Sequence, residues 1–199
     1  MKKSIYPPFK RLGDFVLSLV GLIVLSPLIL LLALLIKLDS KGPIFFMQKR
    51  VGLNKSHFMI YKFRTMCTDT PKDMPTHMLQ DPSRFITRMG AFLRRTSLDE
   101  LPQLFNIIKG DMAVVGPRPA LWNQYDLIAE RDANGSNKIR PGLTGWAQIN
   151  GRDELPIKVK AQLDGVYVEK MGLMMDVKIF LLTILVSVSG KGMSEGANT

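Results

Sequence analysis

Between Phe15 and Ile36 the chain carries 22 consecutive residues without a charge, and Ser26-Pro27 interrupts that run near its middle. As a straight helix rising 1.5 Å per residue it would reach about 33 Å, roughly one hydrocarbon core. Pro27 has no backbone donor, so the carbonyl of Ile23 loses its helical partner, and the ring crowds that carbonyl. A bend at Ser26-Pro27 is the expected result. Lys2, Lys3, Lys10 and Arg11 precede the run, while Lys37, Lys41, Lys49 and Arg50 follow it. Basic flanks resist transfer across a membrane, so a re-entrant hairpin that enters, turns and leaves keeps both of them cytoplasmic. A proline-kinked single span, with the remaining chain still cytoplasmic, is the alternative topology. A signal peptide fits poorly. No small-residue cleavage site follows, and the stretch exceeds the usual h-region of roughly 7 to 15 residues.

The roughly 160 residues outside this segment suit one compact domain with a modest core. The 27 Lys and Arg against 17 Asp and Glu give a net charge of +10, which calls for an anionic partner such as lipid headgroups, a phosphorylated substrate or nucleic acid. Charge alone does not choose among them. A hydrophobic hairpin makes membrane phosphates the economical choice, and no nucleic-acid module is recognisable. Cys67, the single cysteine, rules out an internal disulfide framework and fits a reducing compartment. His57 and His77 show no zinc-ligand spacing.

These patterns predict a mainly helical α+β chain: residues 1–40 as a basic segment and membrane helix-break-helix hairpin, 41–190 as a cytoplasmic catalytic domain, and 191–199 as a C-terminal tail. Ile44 to Val51 and Phe58 to Met66 read as extended segments of a short β-hairpin turning through residues 52–55. A polar, proline-containing loop is expected at 67–83, then a basic helix from Arg84 to Arg94. Leu101, Leu104, Phe105 and Ile108 fall at helical spacing before Gly110. Further helices are expected at Pro119–Arg131 and Pro156–Lys170, each with proline at or near its first turn, with irregular Gly- and Asn-rich chain between them. The apolar Met174–Ser189 stretch is short for a span, and is expected to pack on the domain or lie at the membrane interface.

Asp99-Glu100 precedes Leu101-Pro102. With Asp99 as N-cap, Pro102 falls at N3, where its missing donor does no harm. Ser97 to Glu100 also spells a capping box, and acidic residues suit a helix start, so a purely structural role stands open. Against it stand Lys62, Arg64, Arg84, Arg88, Arg94, Arg95 and Arg118, which surround the dyad in sequence. Carboxylates among many cations point to phosphate chemistry: arginines clamp phosphate oxygens, and a carboxylate either attacks phosphorus or holds Mg²⁺. In Gly116-Pro117-Arg118-Pro119, two prolines hold one guanidinium at a turn. Arg140-Pro141-Gly142-Leu143-Thr144-Gly145-Trp146 and Asn150-Gly151-Arg152 combine turns, a ring and cations, which suits a nucleotide site or an ordinary surface loop.

Taken together, Tyr61-Lys62-Phe63-Arg64-Thr65-Met66, the run Leu93 to Leu104, Gly110-Asp111-Met112, Gly116 to Pro119 and Arg140 to Arg152 resemble the bacterial sugar transferases, the monotopic phosphoglycosyl transferases. The likeness runs from about Lys10 to Lys191 and includes the Ser26-Pro27 break. The resemblance implies transfer of a sugar 1-phosphate from a UDP-sugar to a polyprenyl phosphate such as undecaprenyl phosphate, with Mg²⁺ required and UMP released, at the cytoplasmic face of the bacterial inner membrane. It also implies that Asp99 attacks the sugar-bearing phosphorus and that Glu100 helps hold Mg²⁺. Lys62, Arg94 and Arg118 match positions expected near the phosphates, with Arg64 and Arg140 added by position. The competing reading is a non-catalytic basic scaffold that binds anionic lipid or glycan-assembly partners.

Overall fold

A computed structural model describes residues 6–70, 82–151 and 155–189. Most of the loop at 67–83, the flanking Lys2 and Lys3, His77, Arg152 and the tail at 191–199 therefore lie outside the described residues.

The apolar run forms part of one 34-residue helix, α1 (Tyr6–Asp39), which continues through Pro27. The helix-break-helix hairpin expected over residues 1–40 is one uninterrupted helix in the structure. Ser26 Oγ donates to the carbonyl of Ile23 at 2.8 Å, the acceptor that Pro27 strands. A side chain thus satisfies in cis a backbone group that lipid could not. Ser26 and Pro27 are both exposed.

One face of α1 is covered by the rest of the chain. Ile29, Leu32 and Ile36 are buried with Phe63 and Leu93, while Leu22 and Leu25 pack against Leu104 and Ile107. The opposite face leaves Ile23, Val24, Leu30 and Leu34 exposed.

The β-hairpin forms from β1 (Phe45–Val51) and β2 (His57–Phe63), antiparallel, with Phe45 opposite Phe63 and Val51 opposite His57. It is shorter than the sequence predicts because Arg64 to Met66 leave the ladder; the Arg64 N–H still reaches Ile44 O at 2.9 Å. The helix expected at 84–94 becomes a tight turn at Pro82–Phe85 followed by α2 (Arg88–Thr96), whose N-cap Thr87 accepts from Gly90 N–H. Gly90 allows α2 to press on the chain after β2: a Cβ there would sit 2.0 Å from Thr65 O.

After α3 (Gln103–Lys109) come β3 (Ala113–Val115), α4 (Tyr125–Ala133), β4 (Gly142–Thr144), the single turn α5 (Trp146–Ile149), α6 (Ile157–Lys170) and α7 (Leu173–Ser189). The helix predicted from Pro119 starts instead at Tyr125. The edge of β1 recruits the intervening chain, with Val51 N–H on Ala120 O and a bridge between Arg50 and Leu121. The parallel pair β3–β4 was hidden in chain that reads as irregular. In α7, Ile179 is buried against Val115 and Tyr167, whereas Met174, Phe180, Leu181 and Leu185 are exposed. The helix packs on the domain by one face and offers an apolar surface on the other.

Candidate active site

The segment joining α2 to α3 carries the two adjacent carboxylates. Ser97 takes a left-handed conformation (φ 55°) and ends α2, after which Leu98–Glu100 forms a 3₁₀ turn. The helix α3 begins only at Gln103, with Pro102 at the cap position and no side-chain cap. Asp99 is therefore not the N-cap of α3, and Ser97 forms no side-chain cap bond either. The i→i−3 bonds from Leu104 to Leu101 and from Phe105 to Pro102 keep the chain tightly wound until the proline is passed. That winding also rotates the buried face of α3. Gln103, Leu104, Asn106 and Ile107 point inward, while Phe105 is 42% exposed, contrary to its place in the predicted apolar stripe.

Freed from capping, Glu100 turns its carboxylate toward cations. Lys62 Nζ lies 2.8 Å from Glu100 Oε1 and 3.5 Å from Asp99 Oδ2, and Arg118 Nη1 lies 3.1 Å from the same Glu100 oxygen. Asp99 and Glu100 are only 8% and 7% exposed. Each participant comes from a separate element: Lys62 from the end of β2, the carboxylates from the 3₁₀ turn, and Arg118 from the loop after β3. Long-range packing thus gathers positions 62, 99, 100 and 118 into one charged constellation. A pair of fixed cations beside two carboxylates at a partly buried site is suited to holding and activating a phosphoryl group. The model of the bacterial sugar transferases matches residues 5–190 of this sequence.

The chain belongs to the bacterial sugar transferase family. It is 39% identical over 186 residues to the uncharacterized sugar transferase EpsL of Bacillus subtilis, a match covering 94% of this chain and 90% of the relative. It is 40% identical over 182 residues to the UDP-glucose:undecaprenyl-phosphate glucose-1-phosphate transferase of Xanthomonas campestris, covering 87% of this chain and 37% of the relative. Against the UDP-N-acetylgalactosamine-undecaprenyl-phosphate N-acetylgalactosaminephosphotransferase of Aeromonas hydrophila it is 37% identical over 200 residues, covering 96% of this chain and 46% of the relative. The chain spans less than half the length of these last two relatives.

Not every cation singled out in the sequence joins the constellation in this family member. Arg94 sits in the last turn of α2, where Thr65 Oγ1 holds its Nε at 3.0 Å and Met66 Sδ lies 3.1 Å from Nη2. Arg64 is buried and donates to the carbonyls of Ile36 and Ser40 and to Ser40 Oγ, at the C-terminus of α1. Arg140 directs Nε to Gly110 O, beyond the far end of α3. Arg84, Arg88 and Arg95 are exposed.

Residues that sequence reasoning passed over build the scaffold of this constellation. Asn106 is fully buried; its Oδ1 accepts from Tyr61 N–H at 2.9 Å, and its Nδ2 donates to Met59 O and Asp111 Oδ2. It locks α3 to β2 one residue before Lys62. Arg118 is placed by its backbone: Gly116 N–H bonds Thr144 O and Gly142 N–H bonds Pro117 O. The strands approach so closely that a Cβ on Gly142 would lie 2.1 Å from Gly116 N. Arg131 Nη1 then donates to Arg118 O, while its Nε and Nη2 bind Asp164 at 2.8 and 2.6 Å. Burial holds the Asp164 carboxyl above its ordinary pKa of 3.8 despite the Arg131 charge.

Among the described residues, no group of three or more His, Cys, Asp or Glu is arranged to hold a metal ion. The donor set at the site is the pair Asp99 and Glu100. Two carboxylates match the protein share of a Mg²⁺ site completed by phosphate oxygens and water.

Proposed function

We propose that this chain is a membrane-associated phosphoglycosyl transferase that moves a sugar 1-phosphate from a UDP-sugar to undecaprenyl phosphate and releases UMP, as the opening membrane step of polysaccharide or glycoconjugate assembly. One observation carries the reading: Lys62 spans both carboxylates while Arg118 holds the second of them. Two carboxylates gathered with two cations suit phosphoryl transfer better than a passive scaffold. Relatives named as undecaprenyl-phosphate sugar transferases support the substrate classes.

In the proposed reaction, a carboxylate oxygen of Asp99 attacks the sugar-bearing phosphorus of the UDP-sugar. The bond from that phosphorus to the bridging oxygen breaks, UMP leaves, and an aspartyl phosphosugar remains. A phosphate oxygen of undecaprenyl phosphate then attacks the same phosphorus and displaces the carboxylate, restoring Asp99. The covalent stage lets two anionic substrates use one site in turn. Lys62 and Arg118 hold charge against the phosphoryl oxygens. Glu100, with Asp99, would be the residues to hold Mg²⁺, which when bound would supply Lewis-acid neutralisation of phosphate charge.

The membrane reading rests on how α1 is held. At its start, Lys10 pairs with Asp176 at 2.6 Å and Arg11 donates to Ile107 O and Ile108 O. At its end, Arg64 binds Ser40, and Asp39 accepts from Met89 N–H. One domain grips both ends of a helix about 50 Å long, which favours a monotopic arrangement with both ends at the cytoplasmic face. It would keep Asp99 near the headgroup plane, within reach of a lipid-borne phosphate.

The test is UMP release from a panel of UDP-sugars with undecaprenyl phosphate and Mg²⁺, with Asp99→Asn as control. Turnover confined to the unsubstituted chain, plus a sugar-phosphate mass on the protein when the lipid is withheld, is expected. Equal turnover by Asp99→Asn removes the nucleophile.

A further inference from the structure

Away from Asp99 and Glu100, positive charge lines a cleft of about 190 Å³ between the first turns of α1 and the chain leading into β4. Lys10, Arg11, Lys138 and Arg140 face it, with Asp14 and Tyr167. Lys10 is neutralised, because Asp176 and Asp14 lie 2.6 and 3.5 Å from its ammonium. The other three cations are not matched in this way. Arg11 donates to Ile107 O and Ile108 O and Arg140 to Gly110 O, the C-terminal carbonyls of α3, whose dipole offsets part of their charge without a carboxylate. Lys138 is exposed, and the carboxylate that senses its charge, Asp132, is already bound by Lys55 at 2.9 Å and Asn137 at 2.8 Å. A concave surface holding three such cations attracts an anion.

The setting identifies the kind of anion. Pro7, Lys10, Arg11 and Asp14, at helical spacing, turn one face of α1 to the cleft. Met171 lines the cleft, and Met174, one turn further along the chain, is 82% exposed. Cations inside the cleft, and the exposed apolar start of α7 at Leu173 and Met174 just after Met171, match an amphiphile: a phosphate head with acyl chains. The cleft adjoins the C-terminal end of α3, whereas Asp99 and Glu100 precede its N-terminal end. Ten residues separate Glu100 from Gly110, about 15 Å along a helix axis, so the cleft is separate from the reacting centre.

We propose that this cleft is a binding site for the phosphate headgroup of an anionic membrane phospholipid, held by Lys138, Arg140 and Arg11. A lipid there ties the N-terminal turns of α1 to β4 and the end of α3, fixing the membrane helix against the domain. This goes beyond the transfer reaction and is read out by binding, not by turnover.

The full chain in neutral detergent is titrated with dioctanoyl phosphatidylglycerol, dioctanoyl phosphatidylcholine and glycerol 3-phosphate while thermal unfolding is followed. Phosphatidylglycerol is expected to raise Tm by several degrees and phosphatidylcholine to leave it unchanged. Lys138→Gln should lose at least half of that shift, and Lys158→Gln, an equal change of charge on α6, should keep it. A full shift in Lys138→Gln overturns the site. An equal shift from glycerol 3-phosphate overturns the lipid assignment in favour of a free phosphate ester.

Discussion

Arg131 donates from Nη1 to the backbone carbonyl of Arg118 at 2.9 Å, so a buried ion pair between α4 and α6 sets the position of a guanidinium that meets Glu100. Its two functions are separable. Desolvation makes a buried pair a poor source of stability, and replacing both partners with apolar residues is often neutral or stabilising by about 1–4 kcal/mol. The double variant Arg131→Met/Asp164→Leu is therefore expected to match or exceed the parent in thermal unfolding. Arg118 would nevertheless lose the donor on its carbonyl, and turnover should fall by up to about 10²-fold, the scale for ångström misplacement of a reacting group. Asp164→Asn alone strands Arg131 and should cost about 3–5 kcal/mol. Unfolding midpoints and UMP-release rates, measured on the same preparations, separate the two effects; full turnover in the double variant removes the positioning role.

The same pair predicts a pH dependence. Because burial raises the Asp164 pKa above 3.8 in the folded state, the folded chain holds that proton more tightly than the unfolded chain. The contribution of Asp164 is then complete below the unfolded value and declines as pH rises through the folded one. Stability should fall as pH increases from the unfolded value through the raised folded one. That slope should disappear in Arg131→Met/Asp164→Leu, as read by denaturant midpoints across pH; an unchanged slope assigns it to other groups.

Asn106 spans β2 and α3 with three hydrogen bonds and no solvent exposure. Asn106→Leu fills similar volume but leaves Tyr61 N–H and Met59 O without their partner, at about 1–3 kcal/mol for each stranded group. Asn106→Asp keeps an acceptor for Tyr61 N–H and loses the donor to Met59 O. It also sets a carboxylate beside Asp111. Both variants should unfold earlier than the parent and show a larger relative loss in kcat than in donor KM, because Lys62 and Glu100 lose their common reference. Parental kcat in a folded Asn106→Leu protein would show that the clamp serves stability alone.

How much of this was legible beforehand differs by element. The long apolar helix, the β-hairpin and the helical ends at Lys109 and Lys170 follow from local signals: uncharged length, alternation and Gly110, which stops α3 at φ 96°. Lys62, Asp99, Glu100 and Arg118 stood out because several motifs of one family coincide. The N-cap assignment for Asp99 failed because a cap is a local inference, while Glu100 is held by two cations brought from 38 and 18 residues away. The roles of Arg131, Asp164 and the β3–β4 pair depend on which distant segments meet, and single residue types carry no mark of that. Asn106 did leave a trace: an amide on the apolar side of a short helix needs partners, and its burial could have been argued from α3 alone.

Glu100 receives both Lys62 and Arg118 on one oxygen. Glu100→Gln preserves shape and removes the charge, so turnover is expected to fall by about 10²–10³, the usual scale for removing one electrostatic stabiliser. If the carboxylate also binds Mg²⁺, the metal concentration for half-maximal UMP release should rise in the same variant. Normal turnover with unaltered Mg²⁺ dependence would take Glu100 out of both roles.

At the midpoint of α1 the Ser26 hydroxyl occupies the carbonyl of Ile23 that Pro27 leaves free. Ser26→Ala would strand that acceptor among exposed apolar side chains, whereas Pro27→Ala would return a backbone N–H to it. The two changes are expected to couple: Ser26→Ala destabilises the parent by about 1 kcal/mol and the Pro27→Ala background by much less, since polar contacts in lipid are worth about 0.6–1.7 kcal/mol. The proposed topology rests on the polar anchors at both ends of α1. In a chain whose exposed Cys67 is replaced by serine, Lys3→Cys and Lys41→Cys should react with an impermeant label from the cytoplasmic side only. Labelling of the two positions from opposite sides would mean that α1 crosses the bilayer. The domain could not then hold both ends as the ion pair at Lys10 and the hydrogen bonds at Ser40 require.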